Sequence, residues 1–569
     1  MKSPVVDGLR EIQKEHGWLP VEALQALANR IEVPLYRLQG VASFFPTFKL
    51  STPPTVEVKI CGDMSCHRRG SDALRRAIET RYGDRGAKEI VIHHVSCLGQ
   101  CDRAPAALIN AFHDHGGTVT QHEAIVSGLT ADKLGALIED AASGRALPHH
   151  HSSPLSTRLK SDPYDRNARY GALRNLVKTR DVAGVLAALK ASELKGMGGA
   201  GFPTALKWDL MRGTPGTEKY IVCNADESEP GTIKDRFIME YVPHLLIEGM
   251  IIAGLVTGAK VGIIYIRHEY ELQAEVLERE IEECKKQGIT GPDVLGSGQA
   301  FDLSVFVSPG GYICGEESAL LEAMEGKRGE PRNKPPFPGQ VGLFNKPTVI
   351  NNVETFSNVP VILHHGTEGF KALGRAPSAG LKFVGISGDI VRPGVYEIQM
   401  GTPAREMIYD IAGGIPNGRT LKGWAPSGPS SGYLPASMID IPLDFKALAD
   451  VGSMLGSGAI VICDDTTCMV DMAYNSVRFF KNESCGKCVP CRLGTARLAE
   501  MLEEIMHGRG RKEHLDMIHE LGDAMALASI CGLGQIAPAP IASVIKNFPQ
   551  EVEDHIVRHR CPAGVCPMA

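Results

Sequence analysis

Apolar positions recur along the 569-residue chain at two spacings, and the alternation between them marks out its elements. Near the N-terminus the period is helical: Val6 to Glu15 and Val21 to Ile31 read as amphipathic helices, and Pro34 to Phe48 completes a small helical packing module. Thr55 to Ile60 alternates as a strand, Ser71 to Tyr82 returns to the helical period, and Glu89 to His94 is a second strand. Asp181 to Leu194 is helical again, through Val182, Val185, Leu186 and Leu189. Three short apolar runs follow, Tyr220 to Cys223, Phe301 to Val307 and Thr348 to Ile350, each ending in a polar or glycine-rich loop. Leu245 to Ile266 is the most apolar region, but Glu248 and Lys260 leave a run too short to cross a bilayer. It predicts a buried helix followed by the strand Val261 to Ile266. Lys382 to Ile398 predicts strands around the turn Arg392-Pro393-Gly394, and Thr402 to Ile411 a helix. From Met469 onward the pattern is helical and includes a helix from Glu513 to Ala528.

The composition narrows the classes this pattern allows. So long a chain exceeds one core and predicts about three to five domains, and 43% hydrophobic residues suffice to fold them. A net charge of −6 with no basic stripe argues against nucleic acid as a partner. The N-terminal Met-Lys-Ser-Pro-Val-Val-Asp lacks a signal-peptide core, so a cytoplasmic protein without membrane attachment is expected. Fifteen cysteines, an odd number, fit a reducing compartment where clustered thiols hold metal. Residues 143–166, with Pro148, three histidines at 149–151, Ser152-Ser153-Pro154 and Asp162-Pro163, read as a solvated tether.

The candidate chemistry sits in loops. Lys195 to Trp208 carries four glycines between positions 196 and 201, so its backbone can turn with positive φ and its N–H groups can approach an anionic ligand. Gly196-x-Gly198-x-x-Gly201 matches the dinucleotide fingerprint, yet a helical pattern and no strand precedes it, which argues for a phosphate-cradling loop of another fold. Lys207 adds a positive charge. Cys223 to Gly231, Pro309 to Ser318 and Asn351 to Thr355 each follow a predicted strand, where open α/β sheets place ligands. Cys61-x4-Cys66 and Cys97-x3-Cys101, each at a strand exit, can gather four thiolates for zinc or a [2Fe–2S] cluster, and spacing does not separate the two. Cys485-x2-Cys488-x2-Cys491 with a distant Cys531 is the pattern of a [4Fe–4S] cube. Seven cysteines remain. Cys223 and Cys314 read as packing residues; Cys284, Cys463 and Cys468 have no evident partner; Cys561 and Cys566 read as a disordered remnant, with a partner contact as the alternative.

These loops together resemble the flavin- and NADH-binding subunit of respiratory complex I and its soluble relatives, from about Asp181 to beyond Cys531. The resemblance implies FMN at Gly196, Gly198, Gly199, Lys207, Asn224, Asp226, Tyr312, Gly315, Glu316, Asn351, Asn352 and Thr355. It implies NAD(H) at Phe202, Glu227, Glu229, Glu317, Lys334 and Phe337, with Glu229 on the nicotinamide ribose, disfavouring a 2′-phosphate, and no acid–base residue required. Met197 stands where the family usually has arginine, and Leu210 where it usually has an aromatic residue. Residues 1 to 130, with Asp102-Arg103-Ala104-Pro105 after the cysteines, resemble the thioredoxin-like [2Fe–2S] subunit of the same complex, which favours iron over zinc there.

The implied fold is a multidomain α/β chain. It comprises a helical module (1–50), a thioredoxin-like ferredoxin domain (51–142), the tether, a non-Rossmann α/β FMN domain (167–375), a β-grasp domain (376–455), a C-terminal helical bundle with the [4Fe–4S] site (456–545) and a tail (546–569). Fusion would hold the small cluster domain near its partner at high effective concentration. The implied activity is that of a diaphorase, because flavin can exchange electrons in pairs with NAD and singly with iron–sulfur clusters. Fused chains of this length resemble above all the β subunit of cytosolic, metal-dependent NAD formate dehydrogenases, so the expected function is NAD reduction with electrons from a partner formate-oxidising α subunit with molybdenum- or tungsten-pterin and further clusters. They also resemble the flavin subunit of NAD-reducing hydrogenases and, less closely, the complex I pair. A non-catalytic scaffold binding two zincs is the reading from another class.

Overall fold

The computed structural model describes residues 3–86, 88–114, 119–148, 155 and 158–568; the three histidines of the tether, 149–151, lie outside them. Among the described residues thirteen strands form three sheets. The first contains β1 (Val56–Cys61), β2 (Ile90–Val95), β3 (Ala106–Asp114) and β4 (Val119–Ser127) in the order β2-β1-β3-β4. Strand β1 runs parallel to β2 and antiparallel to β3. Its alternating Val56, Val58 and Ile60 pack with Leu74 and Ile78 of helix Ser71–Tyr82 and with Leu134 and Ile138 of helix Ala131–Ala142. Both cysteine pairs are delivered at one end of this sheet, as the strand pattern predicts.

The second sheet is wholly parallel: β5 (Tyr220–Ala225), β6 (Val261–Ile266), β7 (Asp302–Val307) and β8 (Thr348–Asn352), in the order β7-β6-β5-β8. Its strands are continuous apolar runs because both faces are covered. Helix Pro243–Thr257 lies against it with all its residues buried, so it has no polar face. That helix is bent by 93° from helix Lys234–Tyr241, and among the described residues no single helix is long and apolar enough to cross a membrane. The helix entering the glycine loop, Val182–Ala191, is preceded by no strand, as anticipated. The N-terminal helices pack on this body, with Arg10 donating to the Val307 carbonyl (2.7 Å) and Thr47 to that of Pro309 (2.7 Å).

The third sheet holds β9 (Leu381–Gly388), β10 (Gly394–Gln399), β11 (Leu421–Pro429), β12 (Leu434–Pro435) and β13 (Ala459–Asp464), in the order β10-β9-β13-β11-β12. Strand β13 is its centre, so the boundary drawn at 455 cuts through this sheet rather than before the helical bundle. The helix expected from Thr402 to Ile411 winds mainly as a π-helix over Glu406–Ile411. Helices Met469–Glu483, Val489–Met506 and Glu513–Ala528 form the bundle that follows. The C-terminal segment corrects the expectation of a disordered remnant. Helices Ala539–Asn547 and Pro549–Ile556 pack on the bundle, and Cys561 and Cys566 are buried. Cys468 is also not solitary, since it contacts His555 and Cys566.

Candidate functional site

A cavity of about 380 Å³ opens at the carboxyl ends of the parallel strands, within the size of small-molecule sites (roughly 300–1,000 Å³). Ten of the anticipated residues line it: Gly198 and Gly199 from the glycine loop, Asn224, Asp226, Glu227 and Glu229 after β5, Tyr312, Gly315 and Glu316 after β7, and Asn352 at the end of β8. The glycines are used for close approach. A Cβ on Gly198 would fall 2.8 Å from Asn352 Cβ, and Gly199 has φ +140°. The Asn224 amide donates to the Gly315 carbonyl (2.7 Å), joining two of the loops.

The carboxylates differ in what they have left to offer. Asp226 accepts from Ser228 through one oxygen (3.2 Å), while its buried Oδ1 has no partner, and burial pushes its pKa up to about 8. Burial likewise raises Glu229 to about 7; its Oε1 accepts from the Ser430 amide (3.1 Å). Glu227 is already engaged, accepting from the amides of Asp235 (2.7 Å) and Arg236 (2.9 Å) and from the Tyr270 hydroxyl (3.0 Å).

The remaining anticipated residues surround the cavity without lining it. Lys207 donates to Glu317 (3.1 Å) and the Ile350 carbonyl (2.7 Å); Lys334 bridges Glu316 (2.7 Å) and Glu317 (2.9 Å), giving a charged chain beside Glu316. Asn351 accepts from the buried Trp208 indole (2.9 Å), and Thr355 accepts from the Met197 amide (2.9 Å), so both brace the glycine loop from behind. Gly196 closes that loop by donating to Phe202 O (2.9 Å), while the side chains of Phe202, Phe337 and Leu210 are exposed.

The cavity has walls that local sequence did not point to: Ser427 of β11, Ser430 just after it, Met454 and Ser457 of the loop before β13, and Leu533 and Ile536 beside Cys531. The signal for the first of these was the turn-rich run Pro426-Ser-Gly-Pro-Ser-Ser-Gly432, which forms the end of β11 and the turn after it. Gly428 there has φ +56°, and a Cβ on it would fall 2.3 Å from the Pro230 carbonyl.

Two cysteine quartets flank the cavity. Cys485, Cys488, Cys491 and Cys531 converge on a small apolar pocket that also includes Ile313 and Leu533, and these two residues line the larger cavity as well. Burial pushes Cys491 up to about 11 and Cys531 to about 12, so metal binding there must displace protons. On the other side Cys61, Cys66, Cys97 and Cys101 are buried together, with Cys97 and Cys101 sulfurs 3.4 Å apart. The Gly231 amide, two residues beyond Glu229, donates to Cys101 Sγ (3.2 Å). Arg236 clamps the same loop, reaching both Asp102 oxygens at 3.0 Å and the Gly99 carbonyl, and Arg267 donates to the Cys97 carbonyl (2.7 Å).

Residues 189–361 match the profile of the Nuo51 FMN-binding domain, 471–555 the NADH-ubiquinone oxidoreductase-F iron–sulfur binding region, and 1–138 the thioredoxin-like [2Fe–2S] ferredoxin. An NADH-quinone oxidoreductase subunit of Rhizobium meliloti is 42% identical over 399 residues, 70% of this chain and 95% of that one. The chain belongs to the Nuo51 flavoprotein family. Another member, the NADP-reducing hydrogenase subunit HndC of Solidesulfovibrio fructosivorans, is 43% identical over 390 residues, 68% of this chain and 79% of its own. Among solved structures, a chain of an NAD+-reducing [NiFe]-hydrogenase in the H2-reduced state superposes with a TM-score of 0.84 at 31% identity, covering 99% of this chain and 95% of that one.

As a Nuo51-family chain it is an FMN- and iron–sulfur-dependent, NAD-linked oxidoreductase subunit. The residues present fit these groups. The cavity pairs a glycine cradle with the orphaned Asp226 oxygen, and the two quartets offer the all-thiolate donor sets that iron–sulfur clusters take.

Proposed function

We propose that the chain is the diaphorase subunit of a hydrogen-oxidising assembly, delivering to NAD+ the electrons that a partner subunit removes from hydrogen. The observation that carries the electron-transfer reading is the wall formed by Ile313 and Leu533, one side chain thick between the flavin cavity and the [4Fe–4S] pocket. The hydrogenase partner is supported by the likeness to an NAD+-reducing [NiFe]-hydrogenase over nearly the whole chain, N-terminal ferredoxin included. A formate-oxidising molybdenum or tungsten partner, the first expectation from the resemblance, has no comparable support.

In this reading Gly198, Gly199, Asn224, Asp226, Gly315 and Asn352 hold FMN, and Lys207 supplies positive charge behind the glycine loop. Cys61, Cys66, Cys97 and Cys101 hold the [2Fe–2S] cluster; Cys485, Cys488, Cys491 and Cys531 hold the [4Fe–4S] cluster. Bound FMN supplies exchange of an electron pair with NAD(H) and of single electrons with the clusters. The protein's part is placement and exclusion of water. Met454, Leu533 and Ile536 present apolar surface to the cavity, and Glu229, half-buried and partly ionised near neutrality, accepts from a ribose hydroxyl. A second negative charge on a 2′-phosphate would face that carboxylate, which favours NAD over NADP.

Isolation of the native assembly tests the proposal. Nickel in the partner with hydrogen-driven NAD+ reduction is the expected result; molybdenum or tungsten with formate-driven reduction replaces the partner and leaves the diaphorase. A reconstituted chain that takes no flavin and does not reduce dyes with NADH sinks both.

A further inference from the structure

Outside the flavin and iron–sulfur sites, one group of side chains among the described residues is arranged as metal ligands. Cys468 caps helix Met469–Glu483, its sulfur accepting from the Asp471 amide (3.4 Å). His555 stands near the end of helix Pro549–Ile556, and Cys561 and Cys566 follow in a turn that reverses at Gly564, φ +66°. The four donor atoms lie within 4.8 Å of one another and all four residues are buried. Cys468 Sγ is 3.6 Å from Cys566 Sγ and 3.3 Å from His555 Nε2, which is 3.5 Å from Cys566 Sγ. His555 Nδ1 donates to the Glu551 carbonyl (2.8 Å), which fixes the tautomer and turns the Nε2 lone pair toward the three sulfurs.

We propose that Cys468, His555, Cys561 and Cys566 bind one zinc ion in a closed structural site. Bonds of about 2.3 Å to sulfur and 2.0 Å to nitrogen give a tetrahedron with edges of roughly 3.5–3.8 Å, and the spacings here are of that size. In a polynuclear cluster the thiolates on different metal atoms lie well apart, whereas all four donors here fall within 4.8 Å of one another, as around a single ion. A disulfide would use two of the sulfurs and leave the third, and the oriented imidazole, without a role. Four protein ligands leave no open position, which is the mark of a structural rather than a catalytic zinc. The iron–sulfur profile, residues 471–555, excludes all three cysteines, so that cluster does not claim them.

The position gives the ion a task. Helix Met469–Glu483 receives the ferredoxin domain at its first turns, where Asp471 meets His67 (2.6 Å) and Asn475 donates to the Gly62 carbonyl (2.8 Å). Its far end leads into Ser484-Cys485 of the [4Fe–4S] loop, about 22 Å away for its 15 residues at about 1.5 Å each. Zinc would therefore clamp the end of the chain onto the rod that joins the two cluster sites, without carrying electrons itself.

The test uses the full chain loaded with FMN and iron and dialysed against a chelator, to clear zinc from weak sites such as the histidines at 149–151. Elemental analysis should find one zinc per chain, and X-ray absorption at the zinc edge a shell of three sulfurs and one nitrogen. In Cys561→Ser and Cys566→Ser zinc should fall to near nil with iron and FMN per chain unchanged, while Cys284→Ser, at a buried cysteine elsewhere, keeps it. Unmodified protein free of stoichiometric zinc, or with an oxygen-dominated shell, overturns the proposal without reference to any variant. Zinc retained in both tail variants overturns it too.

Discussion

The parallel sheet β7-β6-β5-β8 and the ferredoxin sheet β2-β1-β3-β4 both release their functional residues just after a strand ends, yet they hold them differently. The parallel sheet is covered on both faces, and at its edge Asp226 keeps one buried oxygen with bonding capacity to spare. The ferredoxin sheet places its cysteines against three neighbours at once: Arg236, Arg267 and Gly231 of the flavin body, Ser387 and Asp389 of the third sheet, and Asp471 and Asn475 of the bundle. A cavity meant to exchange ligands is built from a rigid core with unfilled valences. A permanent inorganic group is instead held at a polar seam that is closed by charge.

The core side of this contrast should break most severely at Glu354. Its carboxylate, with no exposure, meets Lys234 (2.9 Å) and Lys382 (2.5 Å), also unexposed, and accepts from the Phe383 amide (2.7 Å). Glu354→Ala would leave the buried Lys382 ammonium without a carboxylate, while Lys234 keeps Asp235 (2.6 Å), a loss of about 3–5 kcal/mol. The expected outcome is chain that is poorly soluble and lacks FMN; Glu354→Ala protein with normal flavin content and melting temperature would show that the core is less rigid than the contrast requires.

The seam side should break at Arg236. Replacing it with alanine removes the paired bonds to Asp102 and the one to Gly99, weakening domain docking by about 2–4 kcal/mol. Limited proteolysis should then cut faster between 143 and 158, ahead of the segment whose Ser161 and Tyr164 are buried on the flavin body, and the [2Fe–2S] electron paramagnetic resonance signal should broaden, with FMN retained. Loss of FMN as well would mean that the two regions are not independently held.

Much of this was legible from local pattern. Helices Val21–Ile31 and Glu513–Ala528 and strand Val261–Ile266 lie where their periods place them, because each has one apolar face or one apolar run to bury. The loops after β5, β7 and β8 were legible as a site because glycine, asparagine and acid cluster at strand ends. What escaped was non-local. Nothing near β13 says that it inserts between β9 and β11, and nothing near Ser430 says that it reaches Glu229, 201 residues away. Cys468 and His555 are 87 residues apart, beyond any motif spacing. Asn351 and Thr355 sit in the right motif but face the scaffold, since a loop fixes which residues are near a ligand and not which way each side chain turns. The π-helix at Glu406–Ile411 shares its apolar face with an ordinary helix, so periodicity does not separate the two.

The finest test of the contrast is the sign of its pH dependence. Glu248 lies within the wholly buried helix Pro243–Thr257; burial raises its pKa from 4.5 to about 7, although the Leu173 amide (2.9 Å) and the Tyr164 hydroxyl (3.2 Å) bond to it. A folded pKa above the unfolded one contributes stability that is present below 4.5 and lost as pH rises through about 7. Glu57 of β1 is buried too, but Lys59 and Lys49 outweigh that burial and hold it below 4.5, so its contribution is present above 4.5 and lost on acidification. From about pH 6 to about pH 8 the Glu248 term should cost about 1.4 kcal/mol. Hydrogen exchange reads this locally: the Leu173 amide should lose protection over that range in the unmodified protein and keep it in Glu248→Gln, while the amides of β1 and β3 should weaken only toward acid. If both regions lose protection in the same direction, the buried acid of the flavin core is paired after all, and the distinction between a core with open valences and a seam closed by charge does not hold.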